Sequence, residues 1–131
     1  MSFPHVNPTQ TTAWKALGAY YATMRDKKIK DLFKDNPARF EQYSIAFEDI
    51  LFDYSKNIVD EKTFSLLLSL AAECRLKDAI AAMFNGEKIN QTENRSVLHT
   101  ALRNFSGKPV LSDGQDVMPA VQRVLLQMKT F

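Results

Sequence analysis

The stretch INQTENRSVLHTALRN, residues 89–104, gathers amides, hydroxyls, one carboxylate, two guanidiniums and an imidazole. These are the groups of acid/base chemistry, with Glu93 as a general base and His99 as its counterpart, provided that the fold aims them at one point. Arg95, His99 and Arg103 fall at i, i+4 and i+8, so on a helix they form a cationic row able to hold a phosphate-bearing anion. The same spacing has a structural reading. Asn90 and Glu93 stand in capping-box relation, and Leu98, Ala101, Leu102 and Phe105 mark a core face, which predicts a capped helix. On that reading Glu93 starts a helix, His99 is a hydrogen-bonded structural residue, and the row pairs with acidic side chains elsewhere.

No second chemistry can be assembled from the chain. His5, His99 and Cys74 are too few and too scattered for a structural zinc site. The glycines are Gly18, Gly86, Gly107 and Gly114, which write neither a phosphate-binding P-loop nor a dinucleotide fingerprint. No Ser, His and acid set has motif spacing. The reading therefore assigns no catalytic, cofactor-binding or metal residue and no cofactor.

The elements that must position residues 89–104 are mostly helical. A first helix is expected from Asn7, with Pro8 at its first position and Gln10 completing a capping box. Its buried stripe is Trp14, Leu17, Tyr21 and Met24, and it ends near Arg25. A short turn through IKDLFKD stops at Asn36 and Pro37. From Phe40 to Tyr54 the aromatic and β-branched residues alternate, which argues a hairpin; a single helix through Phe40, Phe47, Leu51 and Tyr54 is the rival. Asp60 caps a helix with Phe64, Leu67, Leu68, Ala71 and Cys74 on one side, widened by Leu66 and Leu70, a breadth that predicts burial against more than one neighbour. LKDAIAAMFNG is a further helix stopped by Asn85 and Gly86. NFSGKPVLSDG is loop or extended chain, and QDVMPAVQRVLLQMKTF is a last helix with Val121, Val124, Leu125 and Met128 on its apolar face.

Composition narrows the class. The 131 residues are 45% hydrophobic and 24% charged with a net charge of +2, which suits a soluble globular chain of about one domain. The one dense basic patch, Arg25 with Lys27, Lys28 and Lys30, runs straight into Asp31 and Asp35 and reads as a solvated helix end. It lacks the aromatic interleaving of a nucleic-acid surface, so no nucleic-acid partner is expected. The longest apolar stretch, Phe64 to Ala72, is about half of a bilayer span, so no membrane partner is expected either. The single Cys74 rules out an internal disulfide and suits a packed thiol in a reduced compartment. The first residues show no export signal, which makes the cytoplasm the default.

Five segments then appear in order: NPTQTTAW, DYSKN at 53–57, MFNGEKIN at 83–90, TENRSVLHTALRN at 92–104 and DGQDVMP at 113–119. Together they resemble the amino-terminal part of the bacterial-type glucose-6-phosphate isomerase family, from about Asn7 to Phe131 without evident gaps. Gln91 and Ser96, where relatives often carry other residues, are small departures. The resemblance implies a homodimeric, cytoplasmic, cofactor-free enzyme that interconverts glucose 6-phosphate and fructose 6-phosphate in glycolysis and gluconeogenesis. In that family a glutamate base, a histidine of the partner subunit and a lysine move a proton through an enediol. A Ser/Thr-rich loop in a doubly wound sugar-isomerase domain holds the phosphate. All of these lie downstream of the region that this sequence resembles, so no such role is carried to any position here, Glu93 and His99 included.

The expectation is therefore one amino-terminal segment, residues 1–131, mostly α with a small β-hairpin, of a longer isomerase whose α/β domains follow. Such a segment lacks activity on its own. The final helix has no capping residue after its periodic positions, which fits a cut through a longer protein. The alternative is a stand-alone interaction or regulatory module of the same family.

Overall fold

A computed structural model describes residues 4–131, so part of the leader reading, Met1 to Phe3, lies outside the described residues. The architecture is mostly α with two small antiparallel hairpins, as the mostly α, small β-hairpin reading expects. The chain divides into two compact units, one holding Asn7–Glu73 and the other Cys74–Phe131 with the described residues before Asn7.

In the first unit, the Asn7 side chain accepts from the Thr9 N–H at 3.1 Å and Pro8 opens a turn, but the turn is a short 3-10 helix, Pro8–Gln10. Thr11 is extended and breaks the path (φ −71°, ψ 154°). Its hydroxyl oxygen then accepts from the Trp14 N–H at 3.2 Å and caps helix α1, Thr12–Met24. Gln10 is used up before the helix starts, so the expected capping box does not form.

Asp60 caps α4 (Glu61–Glu73) as expected, accepting from the Thr63 N–H at 2.8 Å and its hydroxyl at 2.7 Å. Helices α1 and α4 lie antiparallel. Glu73 at the end of α4 accepts from the Ala13 N–H at the start of α1 at 3.2 Å, and Tyr20 further along α1 donates to Asp60 at 2.7 Å. A carboxylate at the first turn of α1 offsets the positive end of its dipole.

The expected stripe of α1 holds in part, since Met24 is buried and Leu17 half-buried, but its two aromatic residues are not. Ala13 and Met24 are buried, whereas Trp14 and Tyr21 are 47% and 65% exposed. Trp14 and Tyr21 border an open cleft instead. Helix α4 meets α1 and, through Phe64, the first hairpin, but none of its residues is buried.

Helices α2 (Ile29–Asp35) and α3 (Arg39–Gln42) lead into strands β1 (Ser44–Phe47) and β2 (Ile50–Asp53). They pair antiparallel with Ile45 opposite Phe52 and Phe47 opposite Ile50, so the hairpin reading holds over the single helix. The two-residue connection places Glu48 in the left-handed region (φ +53°). The Tyr54 N–H extends the ladder to the Tyr43 carbonyl at 3.0 Å. Phe52, Tyr54 and Phe64 then stack at 5.3 and 5.7 Å and tie the hairpin to α4.

In the second unit, α5 (Leu76–Phe84) ends where Asn85 and Gly86 predict. The Gly86 N–H donates to Met83 at 3.2 Å and the Glu87 N–H to Ala82 at 3.0 Å, with Gly86 at φ +71°. That pairing is a Schellman motif. Strands β3 (Leu111–Ser112) and β4 (Gln115–Asp116) form a second hairpin on Asp113 and Gly114, both left-handed (φ +51° and +76°). Helix α6 is Met118–Thr130, beginning three residues later than Gln115, because the Asp-Gly turn folds that residue back into a strand. The Asp116 carboxylate accepts from the Met118 N–H at 3.0 Å. Ala82, Ala101 and Met118 are the buried apolar residues of this unit.

Candidate functional site

Residues 89–104 do not form the expected helix. Asn90 and Arg95 exchange both backbone hydrogen bonds at 3.1 Å, closing a loop in which Asn94 is left-handed (φ +53°). The Asn90 side-chain oxygen accepts from the Glu93 N–H at 3.3 Å and the Thr92 hydroxyl at 2.9 Å. Half of the capping box is thus present. The other half is lost because the Asn90 N–H already donates to Arg95, and the Glu93 carboxylate meets the Asn90 amide group at 3.1 Å instead. A 3-10 turn, Ala101–Arg103, is the helical remnant. Ala101 is buried as the core-face reading expects, while Leu102 and Phe105 are exposed, Phe105 to 92%.

The cationic row disappears with the helix. Arg95 pairs with Glu93, both more than half exposed, a geometry worth little in water. Arg103 reaches back to the His99 carbonyl at 3.2 Å, and the exposed His99 ring makes no hydrogen bond with Glu93. The loop is fixed by Ser96, whose hydroxyl bonds the Gly86 carbonyl and lies 2.8 Å from the Ser112 hydroxyl. Arg95 thus bonds Glu93 and Arg103 the His99 carbonyl, two separate contacts in place of the expected row.

Two polar clusters in the unit Asn7–Glu73 escaped the sequence reading. The first joins Tyr20, Asp60 and Lys62, with the Lys62 ammonium 4.5 Å from the Tyr20 ring centre. The hydrogen bond to Asp60 raises the Tyr20 phenol above its usual range. For Asp60, burial opposes the charge, but the bonds from Tyr20 and from Thr63 outweigh it and hold the carboxyl below its ordinary value. This cluster borders a 330 Å³ cleft lined by Trp14, Leu17, Tyr21, Met24 and Ile58. The cap at Asp60 was the one readable signal.

The second cluster centres on Arg39, 2% exposed. Its guanidinium donates to the carbonyls of Ser55, Asn57 and Val59 at 2.7, 2.7 and 2.8 Å and lies 4.5 Å from the centre of the Tyr43 ring. Among the described residues, no carboxylate forms an ion pair with it. Next to it Asp53 accepts from Lys56 and from the hydroxyl and N–H of Ser55, which lowers its carboxyl to about 2.

Among the described residues, no group of three or more His, Cys, Asp and Glu side chains is arranged to hold a metal ion. No described helix is long and apolar enough to cross a membrane. Cys74 is a half-buried free thiol.

The arrangement is that of a helical, α+β segment whose densest polar clusters fix loops and helix ends. The family model for phosphoglucose isomerase matches residues 53–131. That is more than half of the chain, which belongs to this family. The match opens at the DYSKN segment that Arg39 secures and takes in the loop at 89–104.

Proposed function

We propose that this chain is the amino-terminal portion of an aldose–ketose isomerase that interconverts glucose 6-phosphate and fructose 6-phosphate, and that its own part in the reaction is structural. No catalytic, cofactor-binding or metal residue is assigned to it. As one segment of a cytoplasmic homodimer, it is inactive without the sugar-isomerase domains.

One observation carries the structural role: much apolar surface stands in water. Phe47, Ile50 and Phe52, on one face of the first hairpin, are 61–67% exposed, and Val124 and Met128, one turn apart on α6, are 47% and 71% exposed. Scattered apolar residues are ordinary at a surface, but contiguous ones mark a face that another part of the protein covers. A coupled assay for fructose 6-phosphate conversion by the purified chain tests the structural role: no turnover above background is expected, and measurable turnover sinks the proposal.

A further inference from the structure

Asn85 and Gly86 are the one Asn-Gly step in the chain. Such a step is chemically labile, because an unhindered glycine nitrogen can attack the preceding side-chain amide. Asn85 is exposed, so its amide is open to solvent, but the attacking atom is not free. The Gly86 N–H donates to the Met83 carbonyl at 3.2 Å, Gly86 is buried, and Asn85 is held at ψ 1°. All three restraints belong to the Schellman motif that ends α5. Behind Gly86 there is no slack: an added Cβ would lie 1.9 Å from the Leu111 carbonyl oxygen.

We propose that Asn85 is a spontaneous modification site guarded by this motif, so that its conversion records how often the end of α5 opens. When the motif opens, the Gly86 nitrogen bonds to the Asn85 side-chain carbonyl carbon. The C–N bond to the amide group breaks, and ammonia leaves with the Gly86 proton. Water then opens the resulting five-membered imide at either carbonyl, giving aspartate or its β-linked isomer. No oxidant or reductant is needed. Neither product suits the site. Aspartate puts a negative charge at the negative end of α5, and the β-linked form inserts a main-chain carbon just before a glycine pressed against Leu111. A modified motif therefore closes less well than the original.

The test follows conversion at Asn85 by peptide mapping and mass spectrometry, with the 131-residue chain incubated at mildly alkaline pH across a urea series. The unfolded fraction is measured on the same samples by circular dichroism. The rate should track that fraction and be at least about tenfold lower in the least unfolded sample than in the most unfolded one. Asn85→Gln, whose longer side chain disfavours the five-membered ring, should abolish the mass change at this peptide. A rate indifferent to the unfolded fraction overturns the proposal. So does another asparagine reacting first in high urea.

Discussion

The Nε of Arg39 donates to the carbonyl of Ser55 at 2.7 Å in a setting where Arg39 is 2% and Ser55 0% exposed. With Asn57 and Val59 also accepting from this guanidinium, one side chain organises the whole bend between β2 and α4. Arg39→Ala should cost on the order of 3 kcal/mol, because several carbonyls lose their donor at once. Arg39→Lys should recover only part of this, since a single ammonium lacks the fork that spans three acceptors. Urea unfolding of the two variants measures it, and a loss below about 1 kcal/mol for Arg39→Ala would show that water replaces the side chain.

Acid should expose the neighbouring carboxylate. Asp53 has its carboxyl lowered from 3.8 to about 2 by the fold. A depressed value means a contribution that is present above the unfolded value and lost as pH falls from about 4 towards about 2. Asp53→Asn should therefore flatten stability against pH in that window and leave the neutral range nearly parallel to the parent. Denaturation midpoints at stepped pH provide the comparison.

The Tyr20–Asp60 bond supports the cap of α4 and the packing of α1 on it. Asp60→Ala should cost about 1 kcal/mol through the cap, with the lost Tyr20 partner in addition. Tyr20→Phe should also destabilise the chain, through the same lost bond. The raised Tyr20 value works in the opposite direction from Asp53: its contribution is complete below the ordinary tyrosine range and lost as pH rises through the folded value. A double-mutant cycle isolates the pair, and additive losses would show that the bond is not formed in solution.

Gly86→Ala should destabilise the chain by more than about 2 kcal/mol, because it combines a left-handed backbone with a collision against the Leu111 carbonyl. Gly18→Ala, in open space and in a helix, is the control and should be neutral or slightly stabilising. Thermal unfolding of the two variants makes the contrast.

Local signals were legible where a short range decides the outcome. Alternating Ile45, Phe47, Ile50 and Phe52 gave the hairpin, Asp60 gave a cap, and Gly86 gave a helix stop. The region 89–104 misled because its pattern fits a helix, while the Asn90–Arg95 pairing takes the backbone groups that a helix would use. Asp113-Gly114 is a hairpin signal inside NFSGKPVLSDG, a stretch that composition alone reads as loop or extended chain. Arg39 was invisible for another reason: its acceptors are backbone carbonyls 16 to 20 residues away, which no side-chain pattern encodes. The exposure of Trp14 and Tyr21 on α1 likewise depends on which elements pack against that helix, which its own periodicity does not encode.

The first hairpin has two unlike outer edges. Since the Tyr43–Tyr54 rung is bonded, the backbone groups of Ser44 and Ala46 point away from β2, and Ser44–Phe47 contains neither a charge nor a proline. The β2 edge carries Asp53. During concentration or storage the uncharged edge is the natural nucleation point for strand-to-strand growth between molecules. A lysine introduced at Ala46 would act as a gatekeeper there, guarding colloidal behaviour from a position that supports no core.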